Sequence, residues 1–179
     1  MKLPPDYAWL STLSPLPRMV AEGLALYGTT EVVGTGNNPE ILAWAREADL
    51  AKVYTADAIA WCGLFAAITA KRAGKIAPDK PLWALNWANF GRPLRAGEEP
   101  SLGDVLTFKR DGGGHVGIYV GEDATAFHVL GGNQGDKVGF ARIAKRRLNS
   151  VRRPIYQVQP ATVRPFYLSA TGALSTNEA

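Results

Sequence analysis

The sequence predicts an α+β chain whose N-terminal helices pack on a central antiparallel sheet. Apolar residues at helical spacing fall within residues 18–73. From residue 105 onward, short runs of strand character alternate with glycine-containing turns. Helices come first and strands follow, rather than alternating, which separates this class from the parallel α/β folds.

Residues 1–17 are rich in proline and read as an irregular lead-in that Trp9 and Leu10 pin to the body. Over residues 18–27, Met19, Val20, Leu24 and Tyr27 share one helical face, and Gly28 is placed to end that helix. Asn38 is suited to cap the second helix, with Pro39 at its first position and Ile41, Leu42, Trp44, Ala45 and Ala48 as its apolar stripe. The third helix ends at Ala73 before Gly74, and its start lies anywhere from Asp57 to just before Cys62. That boundary matters, because only a start beside Cys62 brings the free amides of a helix terminus to the thiol.

Residues 81–91 form an aromatic-rich helix or turn, readable as a lid of core aromatics or as a sugar-stacking surface. Strands are expected over residues 105–109, 115–120, 125–134, 138–143 and 151–158. Residues 121–124 suit a hairpin tip. Residues 169–179 read as a flexible tail, which leaves residues 18–168 as a single domain.

At 179 residues, with 46% hydrophobic and 20% charged residues, the chain can bury a substantial core and is not a disordered one. One cysteine excludes an internal disulfide, and with two histidines it leaves too few soft ligands for a structural zinc site. No metal and no cofactor are expected. The N-terminus lacks the apolar segment of a signal peptide, so synthesis and folding in the cytoplasm are expected. The longest apolar run, residues 58–70, is too short to span a bilayer.

Cys62 sits beside Gly63 at the head of an apolar run, and His115 follows three glycines at the head of a strand. A helix cysteine and a strand histidine far apart in sequence form the general pattern of papain-like nucleophilic catalysis. Pairing across a hairpin centred at Ala124 sets His115 opposite Asn133 and Gly117 opposite Gly131, which describes an open, glycine-lined shelf. Cys62 is then the nucleophile, His115 the base and Asn133 the group that orients the ring. Trp61, Gly114, Gly117, Gly131 and Gln134 are expected to shape the substrate side. His128 falls on the other face and reads as a partly buried strand residue.

Five segments together resemble the CHAP/NlpC-type cysteine peptidases and amidases: NNPEIL at residues 37–42, DAIAWCGLF at 57–65, GDVL at 103–106, GHVGIYVG at 114–121 and LGGNQ at 130–134. The match covers roughly residues 18–155, in the family's order, and is nearest to its single-domain phage and prophage branch. The resemblance implies a papain-like fold and cleavage of an amide bond in peptidoglycan. Residue by residue it places the nucleophile at Cys62, the base at His115 and the orienting group at Asn133. Two features depart from the family's pattern. Trp61 stands where many members carry a glutamine that helps form the oxyanion hole, and the acidic calcium-site pattern of some members is not visible.

Formal charge is +4, with eight basic residues and no acid over residues 137–177, against twelve basic and fifteen acidic over residues 1–136. Such asymmetry suits a polyanionic partner. With the resemblance it implies a monomeric endolysin that acts on the wall in the periplasm after release, its basic C-terminal part attracting anionic envelope polymers, with no specific nucleic acid. A delivered effector amidase with the same triad, an acyltransferase, and an inactive papain-like protein binding cell wall or nucleic acid are the competing readings.

Overall fold

The computed structural model describes residues 2–176. Three helices, α1 (Arg18–Ala25), α2 (Pro39–Glu47) and α3 (Cys62–Arg72), precede six strands. The strands are β1 (Arg92–Pro93), β2 (Val105–Arg110), β3 (Gly113–Glu122), β4 (Ala126–Gly131), β5 (Gly139–Ala144) and β6 (Leu148–Arg153). They form one antiparallel sheet in the order β1-β6-β2-β3-β4-β5. The α+β class follows directly.

Local chemistry sets the helix ends. Asn38 Oδ1 accepts from the Glu40 amide at 2.8 Å and Pro39 occupies the first position of α2. α3 begins at Cys62 itself, with Trp61 as its N-cap residue. Asp57 caps no helix. Its buried carboxylate accepts from the amides of Val32 and Asn38, at 2.9 and 2.7 Å, while its own amide donates to Asn37 Oδ1. This clamp ties residues 32–38 to the chain that leads into the cysteine, and it satisfies polar groups that burial would otherwise penalise.

The sheet is packed on both faces. Leu64, Phe65 and Ile68 of α3 meet Val116, Ile118, Val120 and Leu130 in the larger core. Leu106, Phe108, Tyr119, Phe127, Val129 and Ile143 form a second core on the opposite face. That alternation along β3 is the one its sequence predicts.

Ile118 pairs with Leu130 and Tyr119 with Val129, the register expected for a hairpin centred at Ala124. A bulge between Tyr119 and Gly121 then moves the pairing by one, to Gly121 with His128. β4 stops at Gly131, short of the expected end at Gln134. Asn133 has φ of 55°, so the chain turns away before it can lie opposite His115.

The lead-in is more ordered than its proline content suggests. Residues Pro5–Ser11 form a 3₁₀ helix that buries Tyr7 and Leu10. Trp9 stacks on Phe166 with ring centroids 4.6 Å apart. The expected tail also returns to the body where it is described. Leu174 bridges to Arg142, the Ser175 amide donates to the Arg142 carbonyl, and Thr171 Oγ1 donates to Asp6. Residues 177–179 of that expected tail lie outside the described residues.

The basic C-terminal part is largely tied inward rather than forming a continuous external strip. Arg153 is buried and donates from Nε and a terminal nitrogen to the two carboxylate oxygens of Asp104, at 2.9 and 2.8 Å. Arg142 binds Asp123, Lys145 binds Glu122, and Arg152 donates to the Phe90 carbonyl. Lys137, Arg146 and Arg164 are exposed. Among the described residues, no helix is long and apolar enough to cross a membrane.

Candidate active site

Cys62 is 5% exposed at the first position of α3. Backbone N–H groups of Val116, Gly63 and Cys62 itself face its sulfur. Burial pushes the thiol up, against the pull of the Val116 amide, the Arg110 charge and the two helix-terminal amides. The resting group is therefore a thiol that needs a base. Val116 follows His115 directly on β3, so the strand that carries the imidazole also supplies an amide to the sulfur.

His115 is buried, and its Nε2 lies 3.0 Å from Gln134 Oε1. The orientation of that amide is fixed from behind. Gln134 Nε2 donates to the carbonyls of Val129 and Gly139, at 3.1 and 2.6 Å. With both hydrogens of the amide committed, its oxygen faces the ring as acceptor. Nε2 of His115 therefore carries the hydrogen.

Asn133, expected to orient His115, is placed elsewhere. Its Oδ1 accepts from the Trp61 backbone amide at 3.0 Å. The left-handed turn at Asn133 sends its side chain to the N-cap of α3 and returns Gln134 to the histidine. The two neighbouring amides hold the two parts of the candidate site, Asn133 the start of the Cys62 helix and Gln134 the imidazole of His115.

Trp61 does not face a substrate. It is fully buried, its Nε1 donates to Glu31 at 3.0 Å, and its ring lies 6.1 Å from that of Trp44. The glycine shelf is not open either. Val129 and the Leu130 carbonyl fill the space beside Gly117, and a side-chain carbon on Gly131 would come within 2.8 Å of Gln134 Oε1 and 3.2 Å of His115 Nε2. These glycines allow the imidazole–amide pair to be packed tightly. Gly114 has Leu85 against it, where a Cβ would approach the Leu85 side chain to 2.6 Å.

His128 is buried in a separate network. Its Nδ1 lies 2.8 Å from the Tyr7 hydroxyl, its Nε2 lies 3.0 Å from Asp123 Oδ2, and Arg142 Nε donates to that same oxygen at 2.9 Å. Its residue types resemble a catalytic set, yet it joins the lead-in to the far end of β4 and has no part in the Cys62 cluster. A cavity of about 780 Å³ is also remote. It is lined by Arg18, Ala73, Lys75, Ile76 and Tyr156, at the C-terminal end of α3. α3 spans about 16 Å at the usual rise per residue, which separates that cavity from Cys62.

Among the described residues, no group of three or more His, Cys, Asp and Glu side chains is arranged to hold a metal ion. No family model matches the chain, and neither a curated protein nor a solved structure matches it.

Proposed function

We propose that the protein is a cysteine amidase of papain-like, CHAP/NlpC type that hydrolyses an amide bond of peptidoglycan. The observation that carries the reading is the fixed amide of Gln134, which assigns the hydrogen to His115 Nε2 and so makes Nδ1 the nitrogen that takes a proton, in a chain whose one cysteine opens a helix. Such a constellation suits acyl transfer.

His115 Nδ1 takes the proton from the Cys62 sulfur, and the thiolate attacks the substrate carbonyl carbon. The amides at the start of α3 and the Val116 amide supply donors for the negative charge that develops there. As the tetrahedral intermediate collapses, the C–N bond breaks and the imidazolium gives its proton to the leaving amine. Water, deprotonated by the same nitrogen, then attacks the thioester and releases the acid and the thiol. Every atom and electron is accounted for by the chain, the amide and one water. Gln134 keeps the ring in this tautomer through both halves.

The substrate class rests on the resemblance of the five segments to a family of enzymes that act on the bacterial wall. On this reading the protein works as a monomer on the wall in the periplasm after release from the cytoplasm. Lys137, Arg146 and Arg164, the exposed cations of the basic part, attract anionic envelope polymers.

The test is digestion of purified sacculi, with mass spectrometry of the released muropeptides and a count of new amino groups. The wild-type protein releases soluble fragments with one new amine per cut, and the fragment masses name the bond. Cys62→Ala, checked for folding by circular dichroism, releases none. Equal release by the two proteins would contradict the proposal.

A further inference from the structure

Of the tryptophans, Trp44, Trp61 and Trp87 are buried, whereas Trp83 is 70% exposed. An indole left in water forgoes roughly 1.5–3 kcal/mol of burial, so its setting calls for a reason. The loop that carries it is held rigidly. The Trp83 amide donates to the Lys80 carbonyl at 3.1 Å, and Lys80 itself has φ of 49°. Asn86 Nδ2 donates to the carbonyls of Asp79 and Lys80, and Trp87 Nε1 donates to the Pro81 carbonyl at 2.8 Å. The loop thus spends its polar groups on fixing one conformation, and that conformation presents the indole to solvent.

The same loop touches both halves of the candidate site. A Cβ on Gly63, next to the nucleophile, would lie 2.5 Å from the Pro81 and Leu82 carbonyl oxygens. Leu85 packs on Gly114, next to His115. Trp83 lies between these two contacts in sequence, on a loop anchored at one side beside Gly63 and at the other beside Gly114. Leu85 and, from the segment before Cys62, Ile59 are further exposed large apolar side chains. Asp79, Lys80 and Asn89 supply exposed polar groups near the indole in sequence.

A flat, preorganised aromatic face with hydrogen-bonding neighbours suits a pyranose ring, whose C–H face stacks while its hydroxyl and acetamido groups are bonded at the edge. A stem peptide alone offers no such face. We infer that Trp83 is the platform of a glycan subsite of the Cys62 site, which binds an N-acetylated amino sugar beside the scissile amide. The inference rests on the amidase reading for the identity of the glycan. It makes the enzyme one that recognises peptide still joined to sugar.

The experiment is a titration of the folded Cys62→Ala protein with the GlcNAc–MurNAc disaccharide, and separately with free stem tetrapeptide, followed by tryptophan emission and calorimetry. The disaccharide should quench emission and bind, and Trp83→Ala in the same background should weaken binding about ten-fold, with Trp83→Phe between the two. Disaccharide binding that is equal in the Trp83→Ala protein, or binding of the tetrapeptide alone, would overturn the subsite. Sacculus digestion that depends on Cys62 but is accompanied by no disaccharide binding refutes the subsite and leaves the amidase reading intact. Trp83-dependent binding together with digestion that ignores Cys62 supports the subsite and refutes the catalytic reading.

Discussion

Asn133 and Gln134 are adjacent amides with different tasks, and the difference is testable at each. Gln134→Ala removes the acceptor that holds His115 in one tautomer and the donor to the Val129 and Gly139 carbonyls, so turnover should fall on the order of a hundred-fold with a changed pH-rate profile, beside a stability loss of about 1–3 kcal/mol. Asn133→Ala leaves the buried Trp61 amide without its acceptor, which should cost about 1–3 kcal/mol in stability. Asn133→Gly should accommodate the left-handed backbone yet still lack that acceptor. Thermal melts beside kinetics on soluble muropeptides separate the two effects. The opposite assignment, with Asn133→Ala crippled in rate and Gln134→Ala only in stability, would mean that the imidazole is held by the other amide. Pairing parity alone placed Asn133 opposite His115. Parity extrapolates a strand that here ends at Gly131, and the positive φ at Asn133 is a backbone state that the sequence signals only weakly.

At the scale of elements, the start of α3 decides whether Cys62 can be reactive. Asp57 is an equally good helix cap by composition, and its use as a clamp on residues 32–38 depends on contacts distant in sequence. The helical periods, the Asn38 cap and the alternation of β3 were legible, because each is a local consequence of side-chain spacing. The burial of Trp61 was not, since nothing local tells a core tryptophan from an exposed one. The same limit applies to Trp83. Gly63 was legible only as a small neighbour of the cysteine, whereas the structure shows what its lack of a side chain permits. Gly63→Ala would drive a methyl group into the Pro81 and Leu82 carbonyls, so it should push the Trp83 loop off the site. The expected outcome is a loss of about 1–3 kcal/mol in stability together with a fall in activity. Unchanged melting and turnover would show that the loop is not seated against α3 in solution.

The whole molecule ties its two ends together through the network of Tyr7, Asp123, His128 and Arg142. Burial holds His128 below its ordinary value of 6.5 despite the opposing Asp123 carboxylate. Burial opposes the charge of Asp123 too, but the Thr125 amide and hydroxyl, Arg142 and His128 outweigh it and keep the carboxyl well below the usual range. Both shifts act in the same direction on stability. As pH falls below about 6.5 the unfolded histidine takes up a proton that the folded one resists, and below about 4 the unfolded aspartate does likewise. Stability should therefore be greatest above neutral pH and fall in two stages on acidification. Denaturant melts at a series of pH values test this, and His128→Gln should flatten the first stage. An identical slope in that variant would place the titrating group elsewhere. The distribution of charge tells a related story at this scale. Eight basic residues with no acid among them over residues 137–177 read as one positive field, but pairing with Asp104, Glu122 and Asp123 consumes part of it. Sequence counts charges without their partners, and for that reason only the exposed members remain as candidates for envelope contact.

The claim on which the account turns is that Cys62 is a nucleophile activated by His115 and not a buried core thiol. Because the chain has one cysteine, alkylation by iodoacetamide followed by intact mass reports on that sulfur alone. Labelling rates should be measured from pH 5 to 9 for the wild-type protein and for folded His115→Ala. The account predicts appreciable labelling of the wild-type protein near neutral pH, and labelling of His115→Ala that is slower by at least about ten-fold there and rises only toward the alkaline range of a buried thiol. Equal rates with the same pH dependence in the two proteins would contradict it.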